Sequence, residues 1–481
     1  MTRHQPDPRR WKALAVSLSA GFMGLLDVSI VNVALPSMQR GLGASAGAVQ
    51  WVVSGYALAF GLTLVAGGRL GDALGRRRMF LVSLVGFVLT SALAGAAPDT
   101  TWLVVARLLQ GASAGLLTPQ NSGLIQDLFH GAERGRAFGL LGACIGISTA
   151  VGPVLGGLII ATFGADEGWR WVFYVNVPIG AFALVFALRL LPGDRRRPAR
   201  IRSEVDFAGA LLLGLAVLCV LFPLVQFDNH GLARFWWLFP VAAALSWAFV
   251  GWERRTVRKG HSPLLDTRLF TDTAGYPSGA AIGMTYFCGF SGIFVVLSMF
   301  FQTGENYTAL ESGLVVTPFA LGSAAAAAVA GRLVSRFGRR VTVTGLSLVT
   351  AGFVVAGVLA LTAPQDQLGL WVALPLAVAG LGGGAVISPN TTLTLENVRG
   401  EMAGVAGAVL QTGQRIGTAI GAALLVAAFH SVAVGTDYRT GLAVALACAT
   451  AMVLIALVLA VRELRTSLRS AAKEQSPEPL L

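Results

Sequence analysis

Gly68-Arg69-Leu70-Gly71-Asp72-Ala73-Leu74-Gly75-Arg76-Arg77-Arg78 is a glycine- and arginine-rich turn set between two long apolar runs. A worn copy, Gly331-Arg332-Leu333-Val334-Ser335-Arg336-Phe337-Gly338-Arg339-Arg340, stands in the second half of the chain. Gly, Arg, Leu, Gly, Arg and Arg recur at matching offsets, but Ser335 occupies the place of Asp72. Short basic turns between apolar runs connect membrane helices, and two similar ones imply a duplicated membrane protein whose halves have diverged.

The rest of the chain agrees. Of 481 residues, 55% are hydrophobic and 12% charged, and the mean hydropathy of +0.70 is far from the balance of a soluble domain. Apolar runs of spanning length number fourteen, each able to cross about 30 Å of hydrocarbon. The net charge of +12 is topological rather than a nucleic-acid footprint. With the N-terminus inside, about 30 of the 36 basic residues fall on the cytoplasmic side, the asymmetry that orients membrane proteins. Cys144, Cys219, Cys288 and Cys448 all lie in apolar runs, so no disulfide framework is indicated. The first apolar run carries Asp27 and has no cleavage pattern, so it reads as the first helix and not as a signal peptide. Arginine far outnumbers lysine, a bias that suggests a GC-rich bacterial source.

The two turns should each join spans two and three of a six-span half, yet eight spans separate them. The surplus is a hairpin at about 206–253 between basic linkers. The expected domains are a six-helix bundle over 1–192, linkers and an inserted hairpin over 193–268, a second bundle over 269–463, and a flexible tail over 464–481. Thr118-Pro119-Gln120-Asn121 echoes Ser388-Pro389-Asn390, Asp127 echoes Glu396, and Glu133 echoes Glu401.

Several residues carry chemistry. Gly68 and Gly75 suit a tight turn and close helix approach, and Asp72 suits a helix N-terminus, where an anion is favoured. Asp72 is expected to meet the start of a second-half helix near Glu401–Gly404. Arg76 is expected to pair with Asp127, and Arg339 with Glu396, while Arg77 anchors the loop; together they would latch the cytoplasmic side. The bland alternative is a topogenic loop with solvated charges. Asp27 is the one acid far from any expected span end, and an intramembrane carboxylate is costly enough to mark a cavity-facing, proton-accepting site. Arg107 is its candidate counter-charge. Gln110, Gln411, Gln414, Arg415 and Glu311 are further candidates to line a substrate cavity with it; packing is the alternative for Arg415. Gly152-Pro153 and Gly156-Gly157 suggest a kinked packing surface between the halves. Lys12, Lys259 and Lys473 lack a Walker context, and the five histidines form no cluster, so no enzyme, metal or cofactor is expected. Energy would come from an ion gradient or the substrate's own gradient.

These residues resemble the major facilitator superfamily, and within it the fourteen-span drug:proton antiporters of EmrB/QacA type. The likeness rests on Gly68–Arg78, Leu26-Asp27 through Pro36, Arg107 with Gln110-Gly111, and Gly152-Pro153 with Gly156-Gly157. Trp169-Arg170-Trp171 and Asn176-Val177-Pro178 add to it. The resemblance implies an all-α fold of two six-helix bundles about a central cavity. It also implies alternating access and proton-driven efflux of amphipathic, often cationic compounds across a bacterial cytoplasmic membrane. A monomer with both termini cytoplasmic is expected. For extra acids in the later spans there is only Glu311, near the outer end of span 10, with Glu305 in the loop before it, which weighs against selectivity for dications. A dedicated exporter of a self-made antibiotic or metabolite is the nearest alternative, and an uptake symporter or passive channel is the alternative of another class.

Overall fold

In the computed structural model the described residues are 8–164, 166–193, 206–225, 234–259, 263–265, 268–433 and 437–474. All regular structure among them is helical. The first half comprises α1 (Arg10–Leu42), α2 (Ala46–Leu74), α3 (Arg76–Gly95), α4 (Thr100–Leu128), α5 (Ala132–Phe163) and a broken sixth span, α6 (Gly168–Tyr174) with α7 (Asn176–Leu190). The hairpin is α8 (Phe207–Val225) and α9 (Leu238–Arg258). The second half comprises α10 (Tyr276–Phe290), α11 (Gly292–Met299), α12 (Ala309–Phe337), α13 (Arg339–Thr362), α14 (Leu368–Thr394), α15 (Ala403–Ala433) and α16 (Tyr438–Glu474). The linker expected at 193–202 lies almost wholly outside the described residues.

Eleven segments among the described residues are long and apolar enough to cross a membrane. The other expected spans are helical but fall below that measure. In α4 the cause is polar content, since Arg107, Gln110, Gln120, Asn121 and Gln126 are all buried in it. In α8 it is length, and α9 ends in Glu253, Arg254, Arg255 and Arg258. Helix α16 continues into the expected tail at 464–481 as far as Glu474. Leu464–Leu468 contains no glycine or proline to end the helix.

Local sequence explains how the elements join. Gly75 between α2 and α3 has φ 102°, and Gly338 between α12 and α13 has φ 53°, a region that disfavours any side chain. The duplicated glycine therefore makes the same reversal twice. Pro178 cannot donate a helical hydrogen bond and its ring would crowd the carbonyl of Tyr174, so the sixth span breaks there and resumes at Asn176.

The halves meet along two glycine crossings related by the internal repeat. At one, a Cβ on Gly68 would lie 2.6 Å from the Gly404 carbonyl oxygen; at the other, a Cβ on Gly135 would lie 2.6 Å from that of Gly331. The second crossing continues along α5 and α12, where Gly139, Gly142 and Gly146 face Ala327, Gly331 and Ala324. Both crossings sit at the end that carries the basic turns, and the hydrogen bonds described between the halves cluster at that end. The structure is thus closed at the basic end. The hairpin leans on both halves, since Val217 and Leu221 of α8 cluster with Leu58 of α2 and with Ile416 and Ala419 of α15.

Gly331→Val should prevent this approach. Pulsed EPR between spin labels on Ala132→Cys and Ser335→Cys should show the basic end shifted to longer distances relative to the labelled parent.

Candidate functional site

Asp27 lies in the middle of α1 and is completely buried, as are Gln110 and Asn176, with Arg107 only 1% exposed. Arg107 Nη1 donates to Asp27 Oδ2 at 2.6 Å and to Gln110 Oε1 at 2.8 Å. The other carboxylate oxygen accepts from Gln110 Nε2 at 3.0 Å and Asn176 Nδ2 at 2.9 Å. Arg107 Nε donates to the Val52 carbonyl at 3.1 Å. Its guanidinium also stacks 4.2 Å above the Tyr56 ring. Asn176 is held in turn against Ser91 Oγ at 3.1 Å. The ion pair is supported by neutral hydrogen bonds, which is what makes two charges tolerable away from water, although Asn176 Oδ1 itself has no partner among the described residues.

The local folding reasons are visible. Gln110 sits one turn beyond Arg107 on α4, so both reach α1 together. Asn176 reaches Asp27 because the Pro178 break places it at the first turn of α7. Asn176, Ser91 and Tyr56 were not among the sequence candidates. The Asn176-Val177-Pro178 stretch was the available signal for the first; nothing in the local pattern singled out the other two.

Asp27 was expected to face a cavity, but in this closed structure it is sealed. The candidates do not converge on it. Glu311 is exposed and forms a capping box with Thr308, whose backbone N–H donates to Glu311 Oε2 at 2.8 Å. It caps the start of α12 and does not line the centre. Gln411 donates to Ser122 Oγ at 3.1 Å, joining α15 to α4 across the halves. Gln414 neighbours Gly283 of α10. Arg415 stacks 4.6 Å above the Phe60 ring. Phe60 and Tyr56 are themselves stacked, with centroids 6.3 Å apart and planes 23° apart. A ladder of Arg107, Tyr56, Phe60 and Arg415 therefore runs along one face of α2 from the buried pair to the second half.

At the basic end, Asp72 accepts from the backbone N–H groups of Gly404 and Val405, each at 3.1 Å. This is the N-terminus of α15, where unpaired donors and the helix dipole favour an anion. Arg76 pairs with Asp72 at 3.1 Å and with Asp127 at 3.0 Å, and it donates to the Gly400 carbonyl at 3.3 Å. Arg77 donates to the Leu188 carbonyl at 2.6 Å. The second half differs. Arg339 does not bond the Glu396 carboxylate but donates to Asn390 Oδ1 at 2.6 Å. The backbone carbonyl of Glu396 accepts from Arg134 at 3.3 Å. The physical reason is position: Asn390 lies inside α14 and meets the buried guanidinium, whereas Glu396 lies beyond the end of that helix. Ser335 is exposed and donates only to Arg332 O at 3.1 Å.

The Gly152–Gly157 stretch also differs from expectation. Gly152 and Gly156 pack on Ser29, Ile30 and Val33 of α1, inside the first half, and Gly157 has open space. The surface between the halves is built by the earlier glycines of the same helix. Two stretches of the form Gly-x-Ser-x-Gly escaped the sequence reading. Ser45 caps α2 and Ser113 donates to Leu109 O within α4, so neither stands on the strand-to-helix turn of a hydrolase nucleophile. No cluster of metal-binding side chains occurs among the described residues.

An all-helical bundle with duplicated turns and an ion pair buried at its middle defines a membrane transporter. The comparisons identify the class more closely. The model of the Major Facilitator Superfamily matches residues 17–422 and 279–481, and the chain belongs to that superfamily. It is 36% identical to the "Probable actinorhodin transporter" of Streptomyces coelicolor, over 89% of this chain and 74% of that protein. It is also 36% identical to the puromycin resistance protein pur8 of Streptomyces alboniger, over 95% of this chain and 91% of that one. Identity is 33% to the multidrug resistance protein Stp of Mycobacterium tuberculosis, over 84% and 73%. Among solved structures, the human organic anion transporter MFSD10 covers 94% of this chain and 100% of its own at 16% identity, with a TM-score of 0.68. The proton:xylose symporter XylE covers 94% and 95% at 14% identity, with a TM-score of 0.66. Those two establish the fold alone.

The unequal turns yield a test. Hydrogen bonds to a charged group contribute about 1.5–3 kcal/mol, roughly tenfold to a hundredfold in the closed population. Asp72→Ala should therefore slow transport by about tenfold or more, and Ser335→Ala by less than about twofold. Equal losses would show that the loops serve only topology.

Proposed function

We propose that this protein is a proton-coupled efflux antiporter of fourteen spans, working by alternating access. The observation that carries the reading is the sealed Asp27–Arg107 pair. Arg107 keeps Gln110, Val52 and the Tyr56 ring as partners when Asp27 loses its charge. The carboxylate can then be neutralised without the guanidinium losing its place. Neutralisation leaves a buried cation without its counter-ion, a state costing about 3–5 kcal/mol in a dry site, and that cost is the drive to rearrange. The all-helical family fold and the basic turns support the expected orientation, with the N-terminus and the basic end cytoplasmic. On that orientation the structure would be a state closed toward the cytoplasm, and proton entry from outside would require the sealed pair to open.

The substrate class is inferred from the relatives named for antibiotic or multidrug resistance: amphipathic small molecules, in part cationic. Proton exchange would be the energy source, with no cofactor. The unit of function would be a monomer in a bacterial cytoplasmic membrane. Its parts would be the bundles at 1–192 and 269–463, the hairpin region at 193–268 and the tail at 464–481. Asp27 and Arg107 would couple the proton. Gln110, Gln411, Gln414 and Arg415 would contact substrate once the pair opens. Gly68, Gly75, Asp72, Arg76, Arg77 and Asp127 would close the cytoplasmic side. A dedicated exporter of one antibiotic is the second reading, favoured by the likeness to a protein named as a probable actinorhodin transporter.

In proteoliposomes with an imposed pH gradient, the parent should accumulate a lipophilic cationic dye against its gradient, and Asp27→Asn should abolish that accumulation. Gradient-driven transport surviving in Asp27→Asn would end the coupling assignment. Phe60→Leu, which cuts the aromatic ladder but keeps its volume apolar, should lower the transport rate several-fold, about the effect of one lost cation–π contact of ~1 kcal/mol. Dye binding to the Phe60→Leu protein should survive, as fluorescence titration would show.

A further inference from the structure

The crossing of Gly135 and Gly331 has a side effect at the next residue of each helix. Arg136 of α5 and Arg332 of α12 are brought into one cavity of about 430 Å³, together with Trp11, Leu140 and Ala328. Both arginines are exposed, and among the described residues neither side chain pairs with a carboxylate. Two guanidiniums in one pocket repel each other unless an anion joins them. Leu140 also lines a second, apolar groove of about 750 Å³ between α1, α5 and α7, walled by Leu18, Phe22, Ile147, Ile179 and Phe182. The two spaces are therefore neighbours along α5, cationic toward the basic end and apolar beyond it. The surrounding surface is lipid-like, with Leu140 at 42%, Ile147 at 45% and Phe182 at 59% exposure. Trp11, 37% exposed, stands where an indole marks a membrane interface.

We propose that Arg136 and Arg332 hold the phosphate of an anionic phospholipid whose acyl chain lies in the groove beside Leu140. Charge and shape both select this occupant. Guanidiniums bind phosphate oxygens with paired, directed hydrogen bonds, and the groove offers apolar walls to an acyl chain. Because the two arginines belong to different halves, the site is complete only while the basic end is closed. A lipid bound there favours the closed arrangement by as much as it prefers it over the open one. The site thus makes the balance between the two access states depend on the anionic lipid of the surrounding leaflet. This inference uses the membrane fold and the closed crossing, and stands whether or not Asp27 couples protons.

The test is native mass spectrometry of the full-length protein released from nanodiscs of phosphatidylglycerol mixed with phosphatidylcholine. The parent should retain phosphatidylglycerol in preference to phosphatidylcholine. The R136Q/R332Q double variant should retain it at least about tenfold less, the scale set by two basic side chains at an anionic surface. Leu140→Trp, which fills the junction without touching charge, should also reduce retention. EPR distances between labels on Ala132→Cys and Ser335→Cys should shorten as phosphatidylglycerol replaces phosphatidylcholine, and should not respond in the R136Q/R332Q background. Equal retention by parent and double variant, or equal retention of the two lipids by the parent, would overturn the proposal. So would the same EPR response in both backgrounds, or an unchanged distance in the parent.

Discussion

An ion pair in the middle of a membrane bundle is tolerable only if hydrogen-bonding side chains take the place of water around its charges, and holding Arg107, Gln110 and Asn176 on Asp27 organises the first half of this protein. The carboxylate of Asp27 is approached from α4 by Arg107 and Gln110 and from α7 by Asn176. Three helices must therefore hold fixed relative positions. The break at Pro178, the turn spacing of Arg107 and Gln110, and the close approach of α2 to α4 that brings Tyr56 beneath the guanidinium all serve it. A buried pair of this kind is weak evidence for stability, since an apolar replacement can be as stable. Its presence makes sense if the charge on Asp27 has to change.

The second constraint is the approach of backbones at the basic end. Two glycine crossings repeat with the internal duplication, at nearly the same separation, yet they are fastened differently: beside one, Arg134 donates to the Glu396 carbonyl, and at the other Asp72 takes two backbone N–H groups. Asp72 places a carboxylate from the first half on the N-terminus of α15, while the corresponding start of α5 has its own Glu133, paired with Arg10, and receives none from Ser335. The Asp72 side also carries Arg76, which joins Asp72, Asp127 and Gly400 in a single knot. Closure is thus symmetric in packing and asymmetric in electrostatics. A latch that is charged on one side can be released by changes in that half alone, and that half is where the buried ion pair lies.

Much of this was legible in the sequence because its carriers are rare residue types in an apolar background. Asp27, Arg107, Asp72 and the glycines stand out against the spans, and the repeat of the turn supplies the fold class. Partners of common type did not stand out. A serine such as Ser91 or a tyrosine such as Tyr56 fits many helices, and only tertiary packing brings it to the pair. Arg339 shows the opposite error: the repeat suggested Glu396 by analogy with Asp127, but a nearer Asn390 met the guanidinium. Glu311 was misplaced because an acid near a span end suits a cavity and a helix cap equally well, and Thr308 three residues earlier decides for the cap. Gly152-Pro153 and Gly156-Gly157 suggested the surface between the halves, but they lie on another face of α5: Gly135 to Gly146 face the other half, and Gly152 and Gly156 face α1.

The inserted hairpin gains a physical role from the same geometry. The aromatic ladder along α2 ends at Arg415 on α15, so the two helices must stay in register for the buried pair to sense the second half. Helices α2 and α15 belong to opposite halves and pack against each other across the seam between them. Leu58 on one and Ile416 and Ala419 on the other share their apolar cluster with Val217 and Leu221 of α8. In α8 these contacts are apolar, and in a bilayer such contacts hold helices by close packing rather than by exclusion of water. The hairpin therefore joins the two halves by packing, beside the contact of Phe60 with Arg415.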